Sequence, residues 1–123
     1  VAETLQELAR DDDESRVAIA AAGGIEVLVS LARDGNEAQK EEAAGTLWNL
    51  SANHDNVAAI AAAGGIEVLV SLARDGSEGQ KEEAAGALWN LAYNDDNKAA
   101  IVAAGGIEVL VSLARDGNEG QKE

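Results

Sequence analysis

Gly24, Gly65 and Gly106 stand 41 residues apart, as do Ile25, Ile66 and Ile107, and the two tryptophans, Trp48 and Trp89. A period of this length is the mark of a stacked array, in which each unit is too small to bury its apolar face alone and neighbours bury it together. Residues 24–64 and 65–105 differ at eight positions only: Asn36, Ala38, Thr46, Ser51, Ala52, His54, Val57 and Ala61 in the first unit. Near-identity of this degree is what recent duplication or deliberate design leaves. The chain therefore reads as one repeat domain over 1–123. Segment 1–23 is a partial repeat, 24–64 and 65–105 are full 41-residue units, and 106–123 is a second partial repeat.

Each unit reads as three helices. A short first helix is expected over Asn56 to Ala63 with Asp55 as N-cap, and over Asn97 to Ala104 with Asp96 in that role. It stops at a glycine pair, Gly64-Gly65, suited to a left-handed C-cap and a sharp turn. A second helix, Ile66 to Arg74, places Ile66, Leu69, Val70 and Leu72 on one face, with Arg74 in the last turn, where the helix dipole favours a cation. The third helix, Glu78 to Tyr93, opens with the capping box Ser77/Gln80, repeated as Asn36/Gln39 and Asn118/Gln121. It carries Ala84, Ala85, Leu88, Leu91 and Ala92 as its apolar stripe. The IEVLV runs have strand propensity, but their capped surroundings and lack of alternation point to helix.

Composition supports closely packed helices. Apolar residues make up 46% of 123, with no Phe, Met, Cys or Pro, so the core is built from Ala, Val, Ile and Leu. The lack of proline suits a chain of helices, and without cysteine there is neither a disulfide nor thiolate chemistry. The net charge of −14 sets the chain against nucleic acid and anionic membranes and in favour of basic or neutral peptides. No run approaches the ~20 apolar residues of a membrane span. An intracellular setting, cytoplasmic or nuclear, is expected of a natural chain of this kind.

The run GGIEVLVSLARDG, residues 23–35 and again 64–76, followed by AAGALWNLAYN, residues 84–94, resembles the armadillo repeat in its catenin-type and plant or algal flavour. The resemblance covers nearly the whole chain. It implies an all-α fold, a right-handed armadillo-type solenoid of about three three-helix repeats with partial repeats at both ends. The third helices of such a solenoid line a concave groove that binds extended peptide segments. The resemblance also implies a groove-facing asparagine on each third helix, whose amide can both donate to and accept from a peptide backbone. Asn49 and Asn90 match that position; the N-terminal counterpart is Glu7. Importin-like repeats carry a tryptophan one turn before the asparagine, where this chain has Gly45 and Gly86. Its own Trp48 and Trp89 directly precede the asparagines. Two roles suit them, contact with a ligand or cover over the joint between repeats. For the asparagines the alternative to ligand binding is a hydrogen bond that ties one repeat to the next. Glu41, Glu42, Glu82 and Glu83 near the helix starts would favour basic side chains.

Constellations for catalysis are lacking in this reading. His54 is the single histidine and no cysteine accompanies it, so a usual zinc site is not expected. Asn94-Asp95-Asp96-Asn97 lacks the glycine and glutamate of a calcium loop and reads as turn and cap. Asp11 to Glu14 is a solvated charge run, and Ser30, Ser71 and Ser112 repeat as structural residues do. Neither a metal, a cofactor nor an enzymatic activity is expected.

Two functions remain open. One is a binding scaffold that uses Trp48, Asn49, Trp89, Asn90, Glu41 and Glu82. The other is a designed or truncated repeat fragment with no ligand that associates head-to-tail. In the second, the Val1–Arg10 helix, with Leu5 and Leu8 matching Leu47 and Leu50, covers Ile107, Leu110, Val111 and Leu113 of the next copy. A heterologous contact of that kind extends the groove across copies.

Overall fold

A computed structural model describes residues 23–116, as seven helices with no strand among them. They are α1 (Gly24–Asp34), α2 (Glu37–Leu50), α3 (His54–Ala62), α4 (Gly65–Asp75), α5 (Glu78–Leu91), α6 (Asp95–Ala103) and α7 (Gly106–Asp116). The order gives second and third helices of one unit (α1, α2), a full three-helix unit (α3 to α5), and first and second helices of another (α6, α7). Leu5, Leu8, Glu7, Asp11 to Glu14 and the Asn118/Gln121 box lie outside the described residues.

The glycine pair makes the corner between first and second helices. Gly64 and Gly105 hold φ of 84° and 81°, in the left-handed region that side chains other than glycine rarely adopt. The next glycine is needed for space: a Cβ on Gly65 would lie 2.6 Å from Ile60 Cγ2 and 2.8 Å from its carbonyl oxygen. With both in place α3 meets α4 at 84°, and α6 meets α7 at the same angle. Among the described residues no single helix is long and apolar enough to cross a membrane.

The helix starts differ from expectation by two residues. The N-caps are Asn53 and Asn94, whose side chains accept from the Asp55 and Asn97 backbone N–H groups, at 2.9 and 3.1 Å. Asp55 and Asp96 sit inside the first turn instead, where their charge complements the dipole. His54 is the exposed first residue of α3. The third helices begin as expected: both capping boxes are formed, Asn36 with Gln39 and Ser77 with Gln80. They end earlier, at Leu50 and Leu91, before the asparagine that caps the following helix.

Stacking follows the repeat. Second helices pack on second helices, α1 on α4 and α4 on α7, while α2 lies along α5 in the broadest helix contact among the described residues. One continuous core runs through the stack, with Leu28, Leu47, Leu50, Ile60, Leu69, Leu88, Leu91 and Ile101 fully buried at its centre. Polar ties cross between units as well. Arg74 Nη2 donates to the Ala104 carbonyl at 3.4 Å, anchoring the corner of the following unit.

Candidate functional site

The third helices α2 and α5 carry every residue expected to form a binding surface, at equivalent positions one unit apart. Glu41 and Glu82 are exposed near the helix starts, whereas Glu42 and Glu83 turn inward and are half-buried. Trp48 and Trp89 stand in the last turn of their helices, which end at Leu50 and Leu91, and each is followed by an asparagine that is half-buried.

Trp48 lies across the joint between units. A Cβ built on Gly86 of α5 would fall 2.2 Å from Trp48 Cε2 and 2.5 Å from Cδ2, so the indole rests on the bare backbone of the next third helix. Seven residues earlier on the same two helices, a Cβ on Gly79 would fall 2.6 Å from the Glu41 carboxyl carbon. Residues seven apart share a helix face. A stripe of bulk on α2, Glu41 and Trp48, therefore meets a stripe of glycine on α5, Gly79 and Gly86. The pairing has a direction: α5 offers glycine to the unit before it and turns its own bulk, Glu82 and Trp89, away. Trp48 is 38% exposed, so its outer edge remains on the surface beside Asn49, while Trp89 is 65% exposed.

The two asparagines are not equivalent. Asn90 Nδ2 donates to Ser51 Oγ at 3.1 Å, and that hydroxyl donates to the Trp48 carbonyl at 2.6 Å. This chain ties α5 to the end of α2. Ser51 is replaced by Ala92 in the next unit, so the tie belongs to one of the eight differences between units. Asn49 has no side-chain hydrogen bond among the described residues and keeps both amide groups for other partners. Of the two asparagines buried in the short helices, Asn56 ties the fold, its Nδ2 donating to the Leu50 carbonyl at 3.1 Å, whereas the Nδ2 of its counterpart Asn97 is buried without a hydrogen-bond partner.

Gln80 has a role that its place in a capping box does not reveal. Its Oε1 accepts from the Ser77 N–H at 3.0 Å, while its Nε2 donates to the Glu37 carbonyl at 3.0 Å and to a Glu37 carboxylate oxygen at 3.2 Å. One buried side chain thus caps α5 and fastens it to α2. Ser51, Gly79, Gly86 and Gln80 were not singled out by sequence reasoning for contacts between units. A glycine in mid-helix costs about 1 kcal/mol relative to alanine, so Gly86 inside AAGALWNL is itself a signal of close approach.

Among the described residues no group of three or more His, Asp or Glu side chains is placed to hold a metal ion. The arrangement supplies instead a flat row of indole, amide and carboxylate groups that repeats with the helices.

The sequence model of the Armadillo/beta-catenin-like repeat matches residues 12–52 and 53–93. The chain belongs to the armadillo repeat family. Its fold is similar to that of two engineered proteins solved by the Northeast Structural Genomics Consortium. One is 39% identical with a TM-score of 0.91, the match covering 98% of this chain and 50% of that one; the other is 40% identical with a TM-score of 0.92, covering 98% and 30%. It is also similar to a designed armadillo repeat protein in complex with the peptide (KR)4, at 28% identity and a TM-score of 0.90, covering 98% of this chain and 52% of that one. This armadillo chain thus spans about half the length, or less, of these solved structures. No curated protein matches it. Both matched stretches contain a complete third helix with its Trp-Asn pair, Trp48-Asn49 and Trp89-Asn90.

Proposed function

We propose that this armadillo chain is a non-catalytic scaffold that holds an extended, basic peptide along α2 and α5. The observation that carries the reading is the stacking of the two third helices, which repeats Glu41, Trp48 and Asn49 as Glu82, Trp89 and Asn90. A ligand with its own regular backbone can meet such a row in register. Asn49 is the open backbone-bonding group, and Asn90 joins after release from Ser51 or through its carbonyl oxygen. Glu41 and Glu82 lie where alternate cationic side chains would fall. The likeness to a designed protein that binds (KR)4 supports a ligand of this charge, as does the chain's own −14.

The test is a fluorescence anisotropy titration with dye-labelled (KR)4, beside a neutral peptide of equal length. Each net hydrogen bond contributes about 0.5–1.5 kcal/mol. Asn49→Ala with Asn90→Ala should therefore weaken binding about tenfold, and Ser51→Ala, which frees Asn90, should strengthen it. Unchanged affinity in the double variant removes the groove assignment.

A second reading is head-to-tail association of copies, in which the Val1–Arg10 segment of one covers α7 of the next. It is favoured by the face of α7 that a third helix would meet: Leu110 and Leu113 are half-buried, where their counterparts Leu69 and Leu72 are buried against α5. Light-scattering mass should then rise with concentration through multiples of the 12.6 kDa chain. A constant mass would remove it.

A further inference from the structure

Tyr93 is the chain's single tyrosine, in a sequence with two tryptophans and no phenylalanine. It stands two residues past the end of α5 and is 71% exposed. That openness does not come from standing in the last third-helix unit. The counterpart Ala52 is exposed as well, although α5 lies along α2 there. A side chain at this position therefore stays in solvent when a further unit is stacked beside it.

The backbone sets Tyr93 in line with Asn90. As α5 ends, it tightens: the Tyr93 N–H donates to the Asn90 carbonyl at 3.4 Å and the Asn94 N–H to the Leu91 carbonyl at 3.2 Å, each three residues back. In a turn of that kind, side chains three apart lie one above the other. Tyr93 thus follows Asn90 along the same edge of the third helix. The first unit makes the same turn, with the Ala52 N–H donating to the Asn49 carbonyl at 3.3 Å, but ends its row on a methyl group.

Charge does not distinguish the two corners. Ala52 is followed by His54, Asp55 and Val57, and Tyr93 by Asp95, Asp96 and Lys98, the last with its Nζ 3.5 Å from an Asp95 carboxylate oxygen. With histidine neutral, one aspartate in the first corner and two aspartates with a lysine in the second leave −1 in each. What sets the second corner apart for a cation is the aromatic ring.

We propose that Tyr93 is a specificity-determining residue of the peptide surface, which stacks on an arginine side chain of the ligand beside Asn90. The inference rests on the reading of α2 and α5 as a peptide-binding row, and it names the side chain preferred at one step of that row. An aromatic face attracts a cation through its quadrupole. Guanidinium suits it better than ammonium, being planar and more weakly hydrated. The ring stands at one step only, so it also marks where along the row the arginine is held.

The experiment uses the full chain with dye-labelled octamers of arginine and of lysine, equal in length and charge, read by anisotropy. The readout is the ratio of the two affinities, because carboxylates by themselves already favour arginine. Tyr93→Leu keeps apolar bulk without an aromatic face, and should lower the arginine-to-lysine ratio about two- to fivefold, the scale of an exposed cation–π contact. Tyr93→Phe should preserve the ratio, since the hydroxyl takes no part. Ala52→Tyr, at an exposed position with the same turn, should raise it by a similar factor. A ratio indifferent to Tyr93→Leu, a ratio lost in Tyr93→Phe, or silence of Ala52→Tyr overturns the proposal. If neither octamer binds the native chain, the peptide-binding row falls and the arginine subsite with it. If both bind, and Asn49→Ala with Asn90→Ala weakens both while the ratio ignores Tyr93, the row stands and the arginine subsite alone is removed.

Discussion

Gly86 and Gly79 show how one residue type at equivalent spacing carries two different constraints. Helix propensity alone favours alanine over glycine at both positions, by roughly 0.5–1 kcal/mol. At Gly79 the nearest obstacle to a methyl group is the Glu41 carboxylate, which is exposed and can swing aside. Gly79→Ala should therefore stabilise the chain by about that amount; the first unit already has Ala38 there. At Gly86 the obstacle is a rigid indole packed on the backbone. Gly86→Ala should destabilise by about 1–3 kcal/mol in urea unfolding. Combining it with Trp48→Ala should lose less than the two single changes added together. Additive losses would show that the indole does not depend on the missing Cβ. The same contact explains why the place of the tryptophans could not be settled from their neighbours in sequence: their partner lies 38 residues on.

Among the elements, α5 was the most legible and also the most incompletely read. Its start, its capping box and most of its apolar stripe follow from local rules that need no neighbour. Residue type makes Asp55 and Asp96 suitable N-caps of the short helices; the caps are Asn53 and Asn94, because either residue type suits and the geometry of the preceding turn decides. The capping rule also treats glutamine and glutamate at N3 as interchangeable. For Gln80 they are not. Its amide N–H groups face the Glu37 carbonyl and carboxylate, two acceptors, so a carboxylate there would meet its own kind in a buried place. Gln80→Glu should destabilise by about 1–3 kcal/mol at neutral pH, the penalty of a buried group left without its partner. The loss should shrink as pH falls through the carboxylate range, since protonation restores a donor. At the exposed counterpart Gln39 the same change should be nearly silent, and paired thermal unfolding of the two variants separates a capping effect from a tie between units. Equal losses would place the effect in the capping box.

At the scale of the molecule, the charge of −14 on 123 residues acts on both stability and binding. Like charges spread over a thin stack repel one another, and the Debye length falls from ~30 Å at 0.01 M salt to ~10 Å at 0.1 M. The midpoint of thermal unfolding should rise over that interval, while affinity for (KR)4 falls, since salt screens repulsion within the chain and attraction to the peptide alike. Circular dichroism melts and anisotropy at the two salt levels check both. A midpoint that stays flat would mean that the acidic side chains lie too far apart to oppose folding.

The amino-acid sequence by itself determined the 41-residue period, the all-helical class, the glycine corners, the third-helix starts and the positions of the Trp-Asn pairs. All of these follow from rules that act within a few residues, or from repetition visible on the line. Only the tertiary structure decided what the repeats do to one another. Trp48 finds Gly86, Ser51 holds Asn90 but not Asn49, Gln80 fastens two helices, and Trp89 is exposed where Trp48 meets a helix. The physical reason is that near-identical sequences give near-identical helices but not identical surroundings. Burial, hydrogen-bond partners and exposure are set by the neighbouring unit in space, and a residue's own stretch of sequence does not contain that neighbour.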